Sequence, residues 1–321
     1  PRHVPGLSDP HSISISSDGK RIAHAKFTVS QNIWSVPIPD SGTISIGEAV
    51  SVTEGKRLIE EADLSRDGEW LVFDSSVRGR FGIFRRRLRG GDAEVVTEVA
   101  GHAFGPVWSP NGSEVAFYSF QESESVQLFV APAPGGTPQQ LTGLRGGGYD
   151  PTWSPDGRTI AFGSRGPEGI EDTHIWTVSR DSVGRPWGNP VRLTDFPCCY
   201  PDWAPDGSAL VCDGGTEWAI MSVSPNGEVL ARYPMQGAYA TPTYSPDGSR
   251  IYFWCYAWDG SVGICWIPSE GGPLTKVVAL DDPTKEIYNI FVGPPLTVGP
   301  ENLYFTISDY DCDIWVADLE W

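Results

Sequence analysis

Apolar and polar positions alternate along this chain in short runs that recur in a fixed order around one phrase. The phrase is an apolar pair, Ser-Pro-Asp-Gly or a relative, two or three residues, and then an alternating run ending in an aromatic. Period-two alternation buries one face of each run, and Asp-Gly or Asn-Gly supplies the positive backbone angles of a tight turn between two strands. The copies read SISSDGKRIAH, DLSRDGEWLVF, VWSPNGSEVAF, TWSPDGRTIAF, DWAPDGSALVC, TYSPDGSRIYF and, degenerate, PLTVGPENLYF. Their Asp or Asn positions are 18, 67, 111, 156, 206 and 247, with Gly299 in the seventh, so the steps are 49, 44, 45, 50, 41 and 52 residues. That period fits repeats that each supply four short strands to one sheet of a radial array.

A third strand follows each phrase: IWSV from Ile33, IFRR from Ile83, LFVA from Leu128, IWTV from Ile175, AIMS from Ala219, ICWI from Ile264 and IWVA from Ile314. A fourth is visible in QQLT ending at Thr142, VRLT ending at Thr194 and KVVAL ending at Leu280. The expected fold is all-β: a seven-bladed β-propeller with four antiparallel strands per blade, one domain over 1–321. Its blades are expected near 11–53, 59–97, 104–142, 149–194, 199–233, 240–280 and 287–321. The seventh copy stops at its third strand, so residues 1–10 are expected to close the last blade and remove two open sheet edges.

Trp108, Trp153, Trp203 and Tyr244 precede the Asp-Gly turns, while Phe73, Phe117, Phe162, Phe253 and Phe305 sit six beyond their Asp equivalent. These rings are expected to pack between blades, each contributing about 2–3 kcal/mol by burial. His24 and Cys212 replace the aromatic in two copies and are expected in the same place.

Composition narrows the partners. The formal charge of −18 repels phosphate backbones and excludes nucleic acid. Absence of a run approaching about 18 apolar residues argues against membrane insertion by this chain. A start at Pro without a signal peptide reads as a processed or excised chain, tethered through a missing segment in one reading. The six Cys form no Cys-x-x-Cys pattern; Cys255 and Cys265 could meet across a hairpin, adjacent Cys198 and Cys199 cannot easily pair with each other, and buried free thiols are the default expectation.

At WSPDGRTIAF, TYSPDGSRIYF and VWSPNGSEVAF, the sequence resembles the TolB-like, WD-repeat-like propeller repeats, over nearly its whole length. The resemblance implies architecture, since the repeat carries no catalytic residue to transfer. TolB has six blades and a separate N-terminal domain, and binds protein partners in the periplasm. Seven phrases without an extra domain depart from it, so that role is not carried over. Similar propellers form outer sensory parts of bacterial kinases and winged-helix regulators. Resemblance is also what favours a periplasmic or extracytoplasmic location.

If the Asp-Gly turns mark one face of the disc, the loops entering the inner strands ring the channel on the other. Glu60, Glu61, His102, Tyr149, Asp150, His174 and Tyr200 are the expected ligand-binding residues there. They make a mouth that is acidic and aromatic, suited to a cationic peptide segment or a sugar ring. The loop Arg165 to His174 and those around Trp218 and Trp258 are expected to overhang it.

No catalytic motif emerges. Gly-x-Ser-x-Gly, His-Glu-x-x-His and phosphate-binding Gly loops are missing. Asp309, Asp311, Asp313 and Glu320 imitate calcium-loop spacing, but Ile314 stands where that loop needs Gly, so the carboxylates are expected to cap a solvated hairpin loop and no cofactor is expected, with calcium as the lesser alternative. The leading expectation is a non-enzymatic binding or sensor propeller for a protein, peptide, carbohydrate or small polar ligand. Its rivals are a channel-mouth lyase or hydrolase, metal-dependent in one version and resembling oligogalacturonate lyases in architecture, and a mere spacer.

Overall fold

The structure, a computed structural model, describes residues 12–318 except 78, 98, 100, 121–125, 167–168, 215–218, 235–240, 257–260 and 288–294. Each phrase forms the expected strand–turn–strand unit. At the first six, the glycine after Asp or Asn has φ between 68 and 75°. In five turns Ser Oγ donates to the Asp or Asn Oδ1 at 2.6–2.9 Å. In all six the same Oδ1 accepts the backbone N–H two residues on at 2.9–3.0 Å. The phrase thus recurs from copy to copy for a local reason: an Asp or Asn side-chain oxygen closing its own turn.

Six inner strands, Ala62–Leu64, His102–Trp108, Tyr149–Trp153, Cys199–Trp203, Thr243–Tyr244 and Thr297–Val298, lie side by side, and the last returns to the first. Each starts a mainly antiparallel sheet. Blades one to six are numbered here in that order. Six buried clusters fill the six blade interfaces. Phe73, Phe117, Phe162, Phe253 and Phe305 are buried in them, as are Trp108, Trp153 and Tyr244; Trp203 is half-buried.

Among the described residues the seven phrases are carried by six sheets. The first and seventh share one sheet, because the long strands Arg21–Pro37 and Asn302–Asp318 pair antiparallel over their whole length. The sixth blade takes its two inner strands from the seventh phrase and its two outer strands, ending at Val50–Ser51, from the first. Strand exchange between the chain's two ends therefore closes the ring, as expected, but through residues up to Ser51; the segment 1–10 lies outside the described residues. Continuous pairing satisfies the backbone groups of both long strands without a second hairpin in either. The first phrase's own leading strand, Ser12–Ile15, is exposed and pairs outside the ring.

The far halves of the long strands and Ser12–Ile15 form a three-stranded extension with Ile314 75% and Trp315 56% exposed. His24 is buried there, opposite Trp315 and Ile13, and not between blades. Asp309, Asp311 and Asp313 belong to the same long strand, paired with Ser30, Thr28 and Lys26, so the run forms neither a calcium loop nor the solvated hairpin loop expected of it. Glu320 lies outside the described residues. Two disulfides replace the expected free thiols: Cys255–Cys265 across a hairpin, and Cys198–Cys212, with Cys199 left free.

Candidate functional site

The six inner strands enclose a central channel of about 740 Å³. Hydrogen bonds cross every interface around it. Thr297 donates to the Ala62 carbonyl at 2.6 Å, Asp63 accepts the Trp108 N–H at 2.8 Å, and Trp153 Nε1 donates to the Val107 carbonyl at 3.3 Å. Thr152 donates to Asp202 at 3.2 Å, Asp202 accepts the Tyr244 N–H at 2.8 Å, and Thr243 donates to the Leu296 carbonyl at 3.3 Å. Asp63 and Asp202, on blades one and four, are thus structural staples that also line the channel.

At the end away from the Asp-Gly turns, Glu60, Glu61, Tyr149, Asp150 and Tyr200 line the channel together, with Gly105, Tyr118, Cys199 and Thr241. Five of the seven expected residues are therefore brought to one opening. His102 stands beside it, stacked on Phe104 at 6.1 Å. His174 is buried in blade three: its ring bonds Asp172 at 3.0 Å and the Phe196 carbonyl at 2.9 Å, under the Arg192 guanidinium. It is not among the residues that line the channel. Trp218 and Trp258 lie outside the described residues, as do 167–168 of the Arg165–His174 hairpin.

Local backbone geometry builds the mouth. Gly105, Asp150 and Tyr200 occupy the same place in blades two, three and four, each before a proline, with φ of 59, 50 and 52°. The ladder to the second strand shifts register at each, which lifts these residues out of pairing. Left-handed backbone at Asp150 and Tyr200 costs about 1–3 kcal/mol each. At Gly105 it has a further purpose. A Cβ there would collide with the Tyr118 ring, and that ring reaches over to donate to Glu61 Oε1 at 2.8 Å.

The acids here are held far from their ordinary state. Burial, then the charges of Asp150 and Asp74, push the Glu61 carboxyl well up, against the lowering bond from Tyr118. Asp74, fully buried behind the mouth, accepts the Glu60 N–H at 2.8 Å, yet desolvation pushes it up to about 8. Desolvation also raises Asp63 to about 7, and Asp150 and Asp202 each to about 6; Arg165, stacked on Tyr149 at 4.5 Å, holds Asp150 down. The lining carboxyls of Glu60, Glu61, Asp63, Asp150 and Asp202 face two cations, Arg66 and Arg165. An added positive charge there would favour the ionised forms of these carboxyls.

Sequence reading missed Asp63, Asp74, Tyr118, Asp202 and Arg165. Asp63 and Asp202 carried a signal, since each places a carboxyl two residues beyond the expected mouth position on an inner strand. Among the described residues no group of three metal-ligating side chains comes together, and no helix is long and apolar enough to cross a membrane.

Residues 47–182 match the family model of the TolB beta propeller domain, somewhat under half of the chain. An uncharacterized protein of Agrobacterium fabrum is 35% identical over 77 residues, 24% of this chain and 26% of that one, so the match spans about a quarter of that relative. A solved structure assigned as TolB from Agrobacterium tumefaciens superposes with a TM-score of 0.65 at 20% identity, covering 88% of this chain and 99% of that one. An oligogalacturonate lyase from Vibrio parahaemolyticus does so with a TM-score of 0.51 at 14% identity, covering 88% and 98%. At such identities the likeness is one of fold. Over residues 47–182 the chain is similar to the TolB beta propeller domain, and over most of its length it has a β-propeller fold.

Proposed function

We propose that this propeller is a non-enzymatic binding module whose channel mouth takes the cationic group of a protein, peptide or small polar ligand. The observation that carries the reading is a set of desolvated carboxyls, those of Glu61 and Asp150 lining an open cavity and that of Asp74 buried behind them. A guanidinium or ammonium placed among them favours their ionised forms and releases the protons that burial keeps on them. A neutral sugar ring would gain nothing from those charges.

The test is calorimetry with acetyl-Gly-Arg-Gly-amide and its citrulline counterpart at low salt. The arginine peptide is expected to bind at pH 8, at least about tenfold more weakly at pH 5, and not to Asp150→Asn; tenfold corresponds to about 1.4 kcal/mol. Equal binding of the two peptides, or none, removes the reading.

One observation favours an enzyme instead: Asp63, raised to about 7, opens on the cavity and could exchange a proton near neutral pH. The same carboxylates repel a polyanionic sugar such as oligogalacturonate, which argues against carrying that neighbour's substrate over. Turnover of a neutral oligosaccharide or lactone, lost in Asp63→Asn with stability retained, would establish the enzyme.

A further inference from the structure

We infer that the ligand is a peptide segment in which a basic and an aromatic side chain are adjacent. This rests on the cation-binding reading of the mouth and adds a second subsite to it. A row of rings leaves the channel wall on one side. Tyr149 lies 6.0 Å from Tyr118, Tyr118 6.0 Å from Phe104, and Phe104 4.7 Å from Phe81 and 5.9 Å from Phe120, the last edge-on at 90°.

Tyr118 belongs to both features, since its hydroxyl is bonded to Glu61 while its ring stacks on Phe104. The shelf is therefore continuous with the acidic well. It is not core: Phe120 is 46% exposed, while Phe81 and Phe104 are half-buried. Contrast with the other blades makes the point. At the place that Phe104 and Tyr149 hold on their inner strands, the chain has Glu60 on blade one and Cys199 on blade four. The rings thus gather on one flank of the opening.

Charge and shape together choose the occupant. A lone metal ion or amine would satisfy the carboxyls and leave the shelf bare, and an apolar ligand would do the reverse. A segment with adjacent basic and aromatic side chains satisfies both, its cation among Glu61 and Asp150 and its ring on Phe104 and Phe120. Ring–ring contact adds affinity beyond the area it buries.

The experiment uses the full chain at pH 8 and low salt, with three acetylated and amidated probes: Gly-Lys-Phe-Gly, Gly-Lys-Gly-Gly and Gly-Gln-Phe-Gly. Lys-Phe is expected to bind about tenfold more tightly than Lys-Gly, a difference of about 1.4 kcal/mol, and Gln-Phe more weakly than either. Phe120→Ala, at an exposed ring, should abolish the Lys-Phe advantage and leave Lys-Gly unchanged. If Lys-Phe and Lys-Gly bind the wild type equally, the shelf subsite is overturned and the cation site stands. Equal binding of Gln-Phe and Lys-Phe overturns the coupling of the two subsites. Failure of all three probes overturns both readings.

Discussion

Tyr118 of blade two donates its phenolic hydrogen to Glu61 of blade one across 2.8 Å, tying two blades together at the rim of the channel. The bond works against the burial that drives the Glu61 carboxyl towards its neutral form. Tyr118→Phe should therefore destabilise the fold by about 1–3 kcal/mol, the cost of leaving a buried polar group unpaired. Gly105→Ala should do the same by displacing the ring. Urea midpoints of both variants check this; wild-type values would mean that the bond is dispensable.

Two sets of aspartates give stability opposite pH slopes. Asp63, Asp74, Asp150 and Asp202 are raised from 3.8 to about 7, 8, 6 and 6. Their contribution is present below about pH 4 and is lost as pH rises through those values. The turn aspartates behave inversely: Ser245 first, then the Ser249 groups, hold Asp247 down to about 2, and Ser16 and Ser65 lower Asp18 and Asp67. Their contribution exists above 3.8 and is lost in stronger acid. Melting temperature should peak near pH 4 and fall as pH rises towards 8, and Asp150→Asn should flatten the alkaline side. A maximum near pH 8 in the wild type would refute the assignment.

Asp202 holds Thr152 with one oxygen and the Tyr244 N–H with the other. Asp202→Asn keeps an acceptor for that N–H and should stay near wild type while losing part of the pH dependence. Asp202→Ala orphans a buried donor and should cost about 1–3 kcal/mol. Denaturant titration of the two variants separates these outcomes.

Ile314 and Val316 project from the three-stranded extension, 75% and 63% exposed. The double change Ile314→Lys, Val316→Lys should leave stability within about 0.5 kcal/mol and reduce self-association at high concentration. Light scattering reads the second effect, and a large fall in melting temperature would show that these side chains are covered in solution.

How much of this was readable in the chain follows from the range of each signal. Asp-Gly turns and the rings of Phe117, Phe162 and Phe253 report on neighbours a few residues away, so the strands and the interblade core could be read off. Whether Ser12–Ile15 takes a place in the ring depends on partners about 300 residues distant, Asn302–Asp318. A phrase count carries no information about that competition. At the mouth, Tyr149, Asp150 and Tyr200 follow from their place before the inner strand. Tyr118 and Asp74 come from second strands, and their approach to Glu61 depends on a register shift and the missing Cβ of Gly105.

The sixth blade has one more consequence. Its strands come from opposite ends of the sequence, so the channel wall is held shut by a zip fastener whose two tapes are the first and last parts of the chain. Anything that unpicks it, a protease nick after Pro37 or tension applied to the ends, should splay the blades and empty the channel. Anything gripped between Glu61 and Tyr200, on blades one and four, should make the zip harder to open.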